Sequence, residues 1–331
     1  MYTNEDLNFA VKKGIFTADA VDEFRAQLES AKKTRFVDEE NFRLVSSFND
    51  IFVVIACSLL LFSSLWVGEG ISDGLGGLIF AVLSWLLAEV FTRKRKMALP
   101  SIALMLSFVG GIFSFCLSLF DDPAELAFMA ASTVSAVAAW LHWKRFGVPI
   151  TIAATTAALT TLAVSLVFSM FPDTRGFMLF AFFLCGVGIF SFAMYWDSSD
   201  LTRTTRNSDV AFWLHLLAAP LIIHPVFTGL DIFKGNENLG NMLVVIVLYL
   251  FMTLLSIIVD RRAFMVSSLA YVIYAITALL KEIGGVGLNF ALTGIFIGSA
   301  LLILSVYWHS IRAGLLGRLP LSIQRHVPNV D

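Results

Sequence analysis

The chain has 331 residues, of which 58% are hydrophobic and 15% charged, with a mean hydropathy of +0.81. Soluble domains carry roughly 45–50% apolar and about 25% charged residues, so this is the composition of a membrane protein. The balance of 23 basic and 25 acidic residues gives no case for a nucleic-acid partner.

Residues 1–48 precede the first apolar segment and read as a cytosolic or interfacial helical hairpin. Gly14 can end a first helix and Thr17 can cap a second. The second carries Asp19, Asp22 and Glu23 early and Lys32, Lys33 and Arg35 late, as the helix dipole favours. Phe16 and Val21 occupy hydrophobic-staple positions, and Val21, Phe24, Leu28 and Ala31 form one apolar stripe at helical spacing. That face packs on its own hairpin or on the membrane domain; docking a protein partner is the alternative. Phe36, Phe42 and Phe48 are expected at the membrane interface. No short apolar stretch with a small-residue cleavage site comes before residue 49, so the first span is expected to serve as an uncleaved anchor.

Ten spans are predicted, near 49–67, 71–91, 97–120, 124–141, 148–171, 177–196, 209–228, 241–259, 264–281 and 286–308. Their lengths suit an α-helix crossing about 30 Å of hydrocarbon, whereas a porin-like barrel would show alternating strands of roughly ten residues. The fold class is therefore all-α: a transmembrane helical bundle over 49–309 and a basic interfacial or flexible tail over 310–331. If the N-terminus is cytoplasmic, 20 of the 23 Lys and Arg fall on that side, and the positive-inside rule puts both termini there. Acidic DDPAE (121–125) and the long loop GLDIFKGNENLG (229–240) fall outside.

The basic turns share a pattern. RKMALPSIA (95–103), KRFGVPITIA (144–153) and RAFMVSSLA (262–270) each run from a basic residue through a short apolar stretch to Pro or Ser opening the next span. Duplicated hairpins would explain this. The simpler explanation is that any basic turn before a helix start looks alike, with Pro tolerated in the first turn.

Within the spans, Ala131, Ser135 and Ala139, then Gly70, Gly74, Gly77 and Ala81, and Gly294 with Gly298 stand at helix-packing spacing. Threonines 151, 155, 156, 160 and 161 can bond back to their own helix or line a polar path, packing being the simpler role. Cys57, Cys116 and Cys185 lie in different apolar segments and read as buried hydrophobes, not as a disulfide or zinc framework. Asp, Glu, Lys and Arg are missing from the middle of every span, which argues against a carboxylate-driven proton antiporter. Glu89 sits four residues before Arg93, where an i,i+4 ion pair accounts for it. HExxH, GxSxG, paired intramembrane aspartates and a P-loop are absent, and GGVG (284–287) reads as a flexible turn. No catalytic residue, cofactor site or metal site is therefore assigned, and the expected partners are membrane lipids.

One stretch stands apart. FWLHLLAAPLIIHP (212–225) places His215, Pro220, His224 and Pro225 inside an apolar run. At 100° per residue the two histidines lie on opposite faces, about 13.5 Å apart along the axis, so a shared metal is unexpected. Pro220 frees the carbonyl of Leu216 and Pro225 that of Leu221. His224 lies near the outer interface, and His215, about two turns in, is the one deep titratable group left unexplained. It reads either as a neutral histidine satisfied by one neighbouring helix or as a contact in a polar pocket at the kink.

A hairpin of the form KKGIFTADAVDEF, followed by tightly turned apolar helices with basic turns, FWLHLLAAPLIIHP and DRRAFMVSSLAY (260–271), resembles bacterial predicted-membrane-protein families of unknown function. The resemblance covers the whole length and implies a bacterial inner-membrane setting; it carries no catalytic or binding residues. The expected function is a non-enzymatic permease or small-molecule binder with its site at the proline-broken seventh span. The alternative is an accessory or sensor scaffold whose N-terminal hairpin docks a partner.

Overall fold

The computed structural model describes residues 9–17, 19–21, 23–24, 48–120, 124–201, 203, 205–229, 239–282, 288–324 and 327–328. Expectations for Asp22, Leu28, Ala31, Lys32, Lys33, Arg35, Phe36 and Phe42, for residues 121–123 of DDPAE, for most of GLDIFKGNENLG and for GGVG lie outside the described residues. Residues Met1–Asn41 separate as one compact unit and Phe42–Asp331 as another.

In the first unit, residues 9–12 are helical and Gly14, at φ +73°, turns the chain out of that helix. The Ile15 amide closes back on the Ala10 carbonyl at 2.9 Å, the bond of a left-handed helix C-cap. Thr17 Oγ1 accepts the Ala20 amide at 3.2 Å, as an N-cap does. Val21 is buried, whereas Phe24 is exposed.

Among its described residues the second unit consists of helices and the turns that join them, with no strand. Its long helices are α1 (Phe48–Ile71), α2 (Leu75–Ala88), α3 (Ala98–Ser118), α4 (Ala124–Phe146), α5 (Ile150–Met170), α6 (Met178–Ser198), α7 (Arg206–Gly229), α8 (Leu239–Val259), α9 (Ala263–Glu282) and α10 (Asn289–Leu316). A short α11 (Leu321–Gln324) follows. Among the described residues, ten helices are long and apolar enough to cross a membrane, each overlapping one predicted span. The largest difference in extent is α10, which runs on to Leu316 and carries Arg312 within it.

Four hairpins, α2–α3, α4–α5, α6–α7 and α8–α9, turn through a residue in the left-handed region: Lys96 (φ 54°), Gly147 (φ 64°), Arg203 (φ 52°) and Asp260 (φ 60°). The next helix opens two or three residues later in every case. Backbone bonds from Met97 to the Phe91 carbonyl (3.0 Å), Gly147 to Trp143 (2.9 Å) and Arg261 to Ser256 (2.9 Å) satisfy carbonyls that a helix end leaves open. The similarity of the basic turns is thus one of backbone conformation as well as of residue type, and it extends to the turn at Arg203, which the sequence pattern does not include. At Lys96 the approach is distinctive, because α2 widens into a π-helix over Glu89–Lys94. The expected Glu89–Arg93 pair forms there at 3.3 Å, and Glu89 also reaches Arg145 of α4 at 2.7 Å.

Small residues set several helix contacts. Ala131, Ser135 and Ala139 are buried on α4, and a Cβ at Gly77 would lie 2.9 Å from the Phe115 amide of α3. Gly74 starts α2 at φ +78°, and the Glu69 carboxylate accepts the amides of Gly74 (3.0 Å) and Gly77 (3.3 Å), placing negative charge at a helix N-terminus. Gly70, Gly294 and Gly298 differ from expectation: each faces open space. The threonine-rich α5 bonds to itself, Thr155 to the Thr151 carbonyl, Thr156 to Ile152 and Thr161 to Ala157, at 2.8–3.0 Å.

Burial ranks the helices. Half of the apolar window of α7 is inside the bundle, against 17% for α1, α6 and α10. The outward residues of α1 and α10, including Phe52, Trp66, Phe296, Leu302 and Val306, are the large apolar side chains that hydrocarbon would cover. The seventh helix is the hub. Its Leu214 and Ala218 pack with Ile189 and Ala193 of α6, and its Ala219, Ile223 and Phe227 pack with Phe264, Tyr271 and Ala275 of α9.

Candidate functional site

Helix α7 is continuous from Arg206 to Gly229 with Pro220 and Pro225 inside it, so the seventh span is a single helix and not two half-helices. Its contact with α6 depends on one glycine. A Cβ at Gly186 would lie 2.8 Å from Ile222 Cγ1 and 2.9 Å from the carbonyl carbon of Leu221, the group whose intrahelical donor Pro225 removes. Gly186 therefore lets α6 reach the backbone of α7 between the two prolines.

The two histidines turn to different neighbours. His224 Nδ1 meets the Tyr271 hydroxyl of α9 at 2.6 Å, with Phe227 stacked on the Tyr271 ring at 4.5 Å. His215 is fully buried, and its Nε2 lies 2.8 Å from Oδ2 of Asp197 in the last turn of α6. A carboxylate accepts, so the proton sits on Nε2. Nδ1 has no hydrogen-bond partner among the described residues. The ring lies between Phe190 of α6 and Phe264 of α9, with centroids 5.4 and 6.3 Å away.

Asp197 is the centre of this arrangement. Besides His215 it accepts Arg261 Nη2 on Oδ1 at 2.6 Å and Arg261 Nε on Oδ2 at 3.4 Å. Arg261 Nη2 also donates to the Ser208 carbonyl (3.0 Å) and Oγ (3.2 Å) in the first turn of α7. Aspartate, histidine and arginine are each at most 1% exposed. Three elements thus converge on one carboxylate: the end of α6, the body of α7 and the α8–α9 turn.

A second carboxylate repeats the arrangement one residue away. Asp260 Oδ2 accepts Arg203 Nη1 at 2.8 Å, and Asp260 Oδ1 accepts the Trp308 indole N–H of α10 at 2.7 Å. Arg312 Nε lies 3.6 Å from the same Oδ1. Arg203 Nη2 also donates to the Asp260 carbonyl at 3.0 Å, and the Arg262 guanidinium sits 5.0 Å from the Trp308 ring centroid. The turn that delivers Arg203 is closed by Asp200 Oδ2, which accepts the Thr205 amide and hydroxyl at 2.8 and 2.7 Å. Burial is the largest influence on Arg203, followed by the nearby positive charge of Arg261, and both lower its pKa from the usual guanidinium range.

The ion pairs cross. The α6–α7 hairpin gives Asp197 to Arg261 and Arg203 to Asp260; the α8–α9 hairpin gives the complementary partner each time. Arg203 and Asp260, which meet each other, are also the left-handed residues of their two turns. A left-handed conformation costs about 1–2 kcal/mol for an L-residue, less for Asp, so the ion pair and its carbonyl bonds offset local strain at Arg203.

Of the residues singled out by sequence, His215 belongs to this centre, Pro220 lies on the same helix beyond it, His224 makes a separate contact to Tyr271 of α9, and Pro225 is buried within α7. His215 is not alone in being buried: Asp197 and His142 are as fully enclosed, and Arg261 is 1% exposed. His142 is boxed by Trp85, Phe108 and Phe146 and lies 3.5 Å from the Thr151 hydroxyl. Asp197, Arg203, Asp260, Arg261 and Arg312 escaped notice because residues at span ends count as solvated topology markers. A usable signal was present: WDSSDLTRTTR (196–206) and DRR (260–262) put acids beside bases on successive turns of the basic end. Among the described residues, no three His, Cys, Asp or Glu side chains gather as metal ligands.

The arrangement is that of a ten-helix, membrane-type bundle with buried, crossed ion pairs at one end. Compared with protein families, curated proteins and solved structures, the chain finds no match in any of the three.

Proposed function

We propose that this chain is a multi-pass protein of a bacterial inner membrane, with both termini cytoplasmic, that acts as a non-enzymatic permease or small-molecule binder centred on α7. The observation that carries this reading is the bare Nδ1 of His215. It is an acceptor held inside the bundle with no partner among the described residues, while Asp197 and Arg261 fix the ring through Nε2. An unpaired buried acceptor costs about 1–3 kcal/mol, and such atoms in native proteins commonly serve a ligand or water. A solute bearing a hydroxyl or amine donor, flanked by Phe190 and Phe264, suits that position. The α6–α7 contact at Gly186 and the prolines beyond His215 supply a place where α7 can bend. The crossed ion pairs then act as a latch that keeps the basic end shut while the helix flexes above it.

The test is a single cysteine at Ala219, beside Pro220 and fully buried, in a background with Cys57, Cys116 and Cys185 replaced. Membrane-impermeant thiol reagents are applied from each side, with Asp197 intact and as Asp197→Asn. Labelling from either side, increased by Asp197→Asn, is the expected result. Protection from both sides in both folded variants would make α7 a sealed core and remove the permease reading.

A second reading has its own observation. In the N-terminal unit Phe9, Ile15, Phe16 and Phe24 are 49–65% exposed. Four large apolar side chains on so short a segment suit a protein partner, the role of an accessory or sensor scaffold. Loss of a copurifying protein on deletion of residues 1–40, with the bundle intact, would favour it.

A further inference from the structure

Beyond α10 the chain doubles back. Gln324, in the last turn of α11, donates Nε2 to the carbonyls of Leu316 (2.9 Å) and Leu319 (2.8 Å), so one side chain covers the open end of α10. Val327 is 3% exposed, and the neighbouring Pro328 is also buried. The Pro328 carbonyl accepts Arg312 Nη2 at 2.5 Å. Arg312, itself 3% exposed, faces Asp260. A chain of contacts therefore runs from Pro328 through Arg312 and Asp260 to Arg203 in the α6–α7 turn.

We propose that the segment bearing Val327 and Pro328 is a strap that controls the crossed ion pairs. It shields Arg312 from water and supplies one of its acceptors, which keeps the guanidinium pressed toward Asp260. Asp260 in turn holds Arg203 and the Trp308 indole. With the strap displaced, Arg312 becomes hydrated and turns outward, because an exposed arginine gains little from a carboxylate it must meet across water. Asp260 then loses a cation and the cover above it, and the two left-handed turns lose their support. The contact is made through a backbone carbonyl, so anything that draws the segment away releases the latch without chemical change to it. This coupling holds whether or not α7 lines a solute path.

Hydrogen–deuterium exchange read by mass spectrometry on the full chain in detergent micelles tests it. Val327→Asp places a charge where the strap is buried and leaves each member of the ion-pair chain in place. Exchange of amides in 199–206 and 257–263 is expected to rise about tenfold, since local opening sets the rate there. The turns at 95–98 and 146–150 should be unchanged. Removal of residues 325–331 should reproduce the pattern, and Pro328→Ala, which retains the carbonyl, should not. Faster exchange confined to 312–324, or spread equally over all four turns, would overturn the proposal.

Discussion

Replacing Asp197 by asparagine removes the charge that two buried partners, His215 and Arg261, share while keeping the side chain's size. Arg261 would keep its bonds to Ser208, but its guanidinium, 1% exposed, would have no anion against it at 2.6 Å. His215 Nε2 would lose its charged acceptor at 2.8 Å. Breaking one side of a buried pair costs about 3–5 kcal/mol, mostly the penalty of the stranded charge. Arg261→Met alone should cost a comparable amount, because it strands the carboxylate. The double variant strands neither, so its cost should fall below the sum of the single costs by at least about 2 kcal/mol. The assay is a double-mutant cycle by reversible unfolding in mixed micelles with increasing denaturing detergent, supported by thermal melts. Single costs that add to within about 0.5 kcal/mol would show the two groups to be independent and would refute the latch.

Four further outcomes follow from the geometry. Gly186→Ala forces a Cβ within 2.9 Å of the Leu221 carbonyl carbon and should destabilise the bundle by about 1–3 kcal/mol, whereas Gly298→Ala, in open space, should be neutral in the same melt. Gly147→Ala, at φ +64°, should cost about 1–2 kcal/mol, and normal stability in that variant would show that the turn can leave the left-handed region. His224→Phe removes the 2.6 Å contact with the Tyr271 hydroxyl and should cost about 1 kcal/mol, with labelling at Ala219→Cys unaltered. Glu89→Gln breaks ion pairs that lie in solvent at the basic end, so its melting temperature should match wild type in high salt.

Hydropathy locates the helices well because the requirement it reads is local: a run of apolar residues long enough to cross about 30 Å. The span predicted at 148–171 is α5 at Ile150–Met170, and that at 177–196 is α6 at Met178–Ser198. Gly14 and Thr17 were legible for the same reason, since a cap depends on residues within one turn. The candidate site was not local. Asp197 and Arg261 are 64 positions apart, and Arg203 and Asp260 are 57. Nothing in either segment alone distinguishes a buried end-of-helix charge from a hydrated one. His215 drew notice because an imidazole deep in a span conflicts with its surroundings, whereas its partners sit at span ends where charges are ordinary. Glycine spacing misled in the opposite direction. GIFIG has the pattern of a packed interface but faces open space, whereas Gly186, without a partner glycine four residues away, sits so near α7 that a Cβ there would lie 2.8 Å from Ile222.

The crossed pairs also bear on why the basic end is built from left-handed turns. A helical hairpin can be closed by glycine alone, as at Gly147, where φ > 0 carries no side-chain penalty. At Arg203 and Asp260 the same backbone geometry is held by residues whose side chains satisfy each other across the two hairpins. Asp260→Gly would therefore relieve the backbone of Asp260 while releasing Arg203 and the Trp308 indole. If the turn existed only to reverse the chain, that substitution would stabilise the protein. If it exists to place a carboxylate, the loss of a buried partner outweighs the backbone gain and the protein melts earlier. Asp260→Asn, which retains an acceptor and tolerates the left-handed region, should fall between the Gly variant and wild type. An order of Gly, Asn, Asp in rising stability identifies the turn as a device for presenting charge, and the reverse order would make its ion pair incidental.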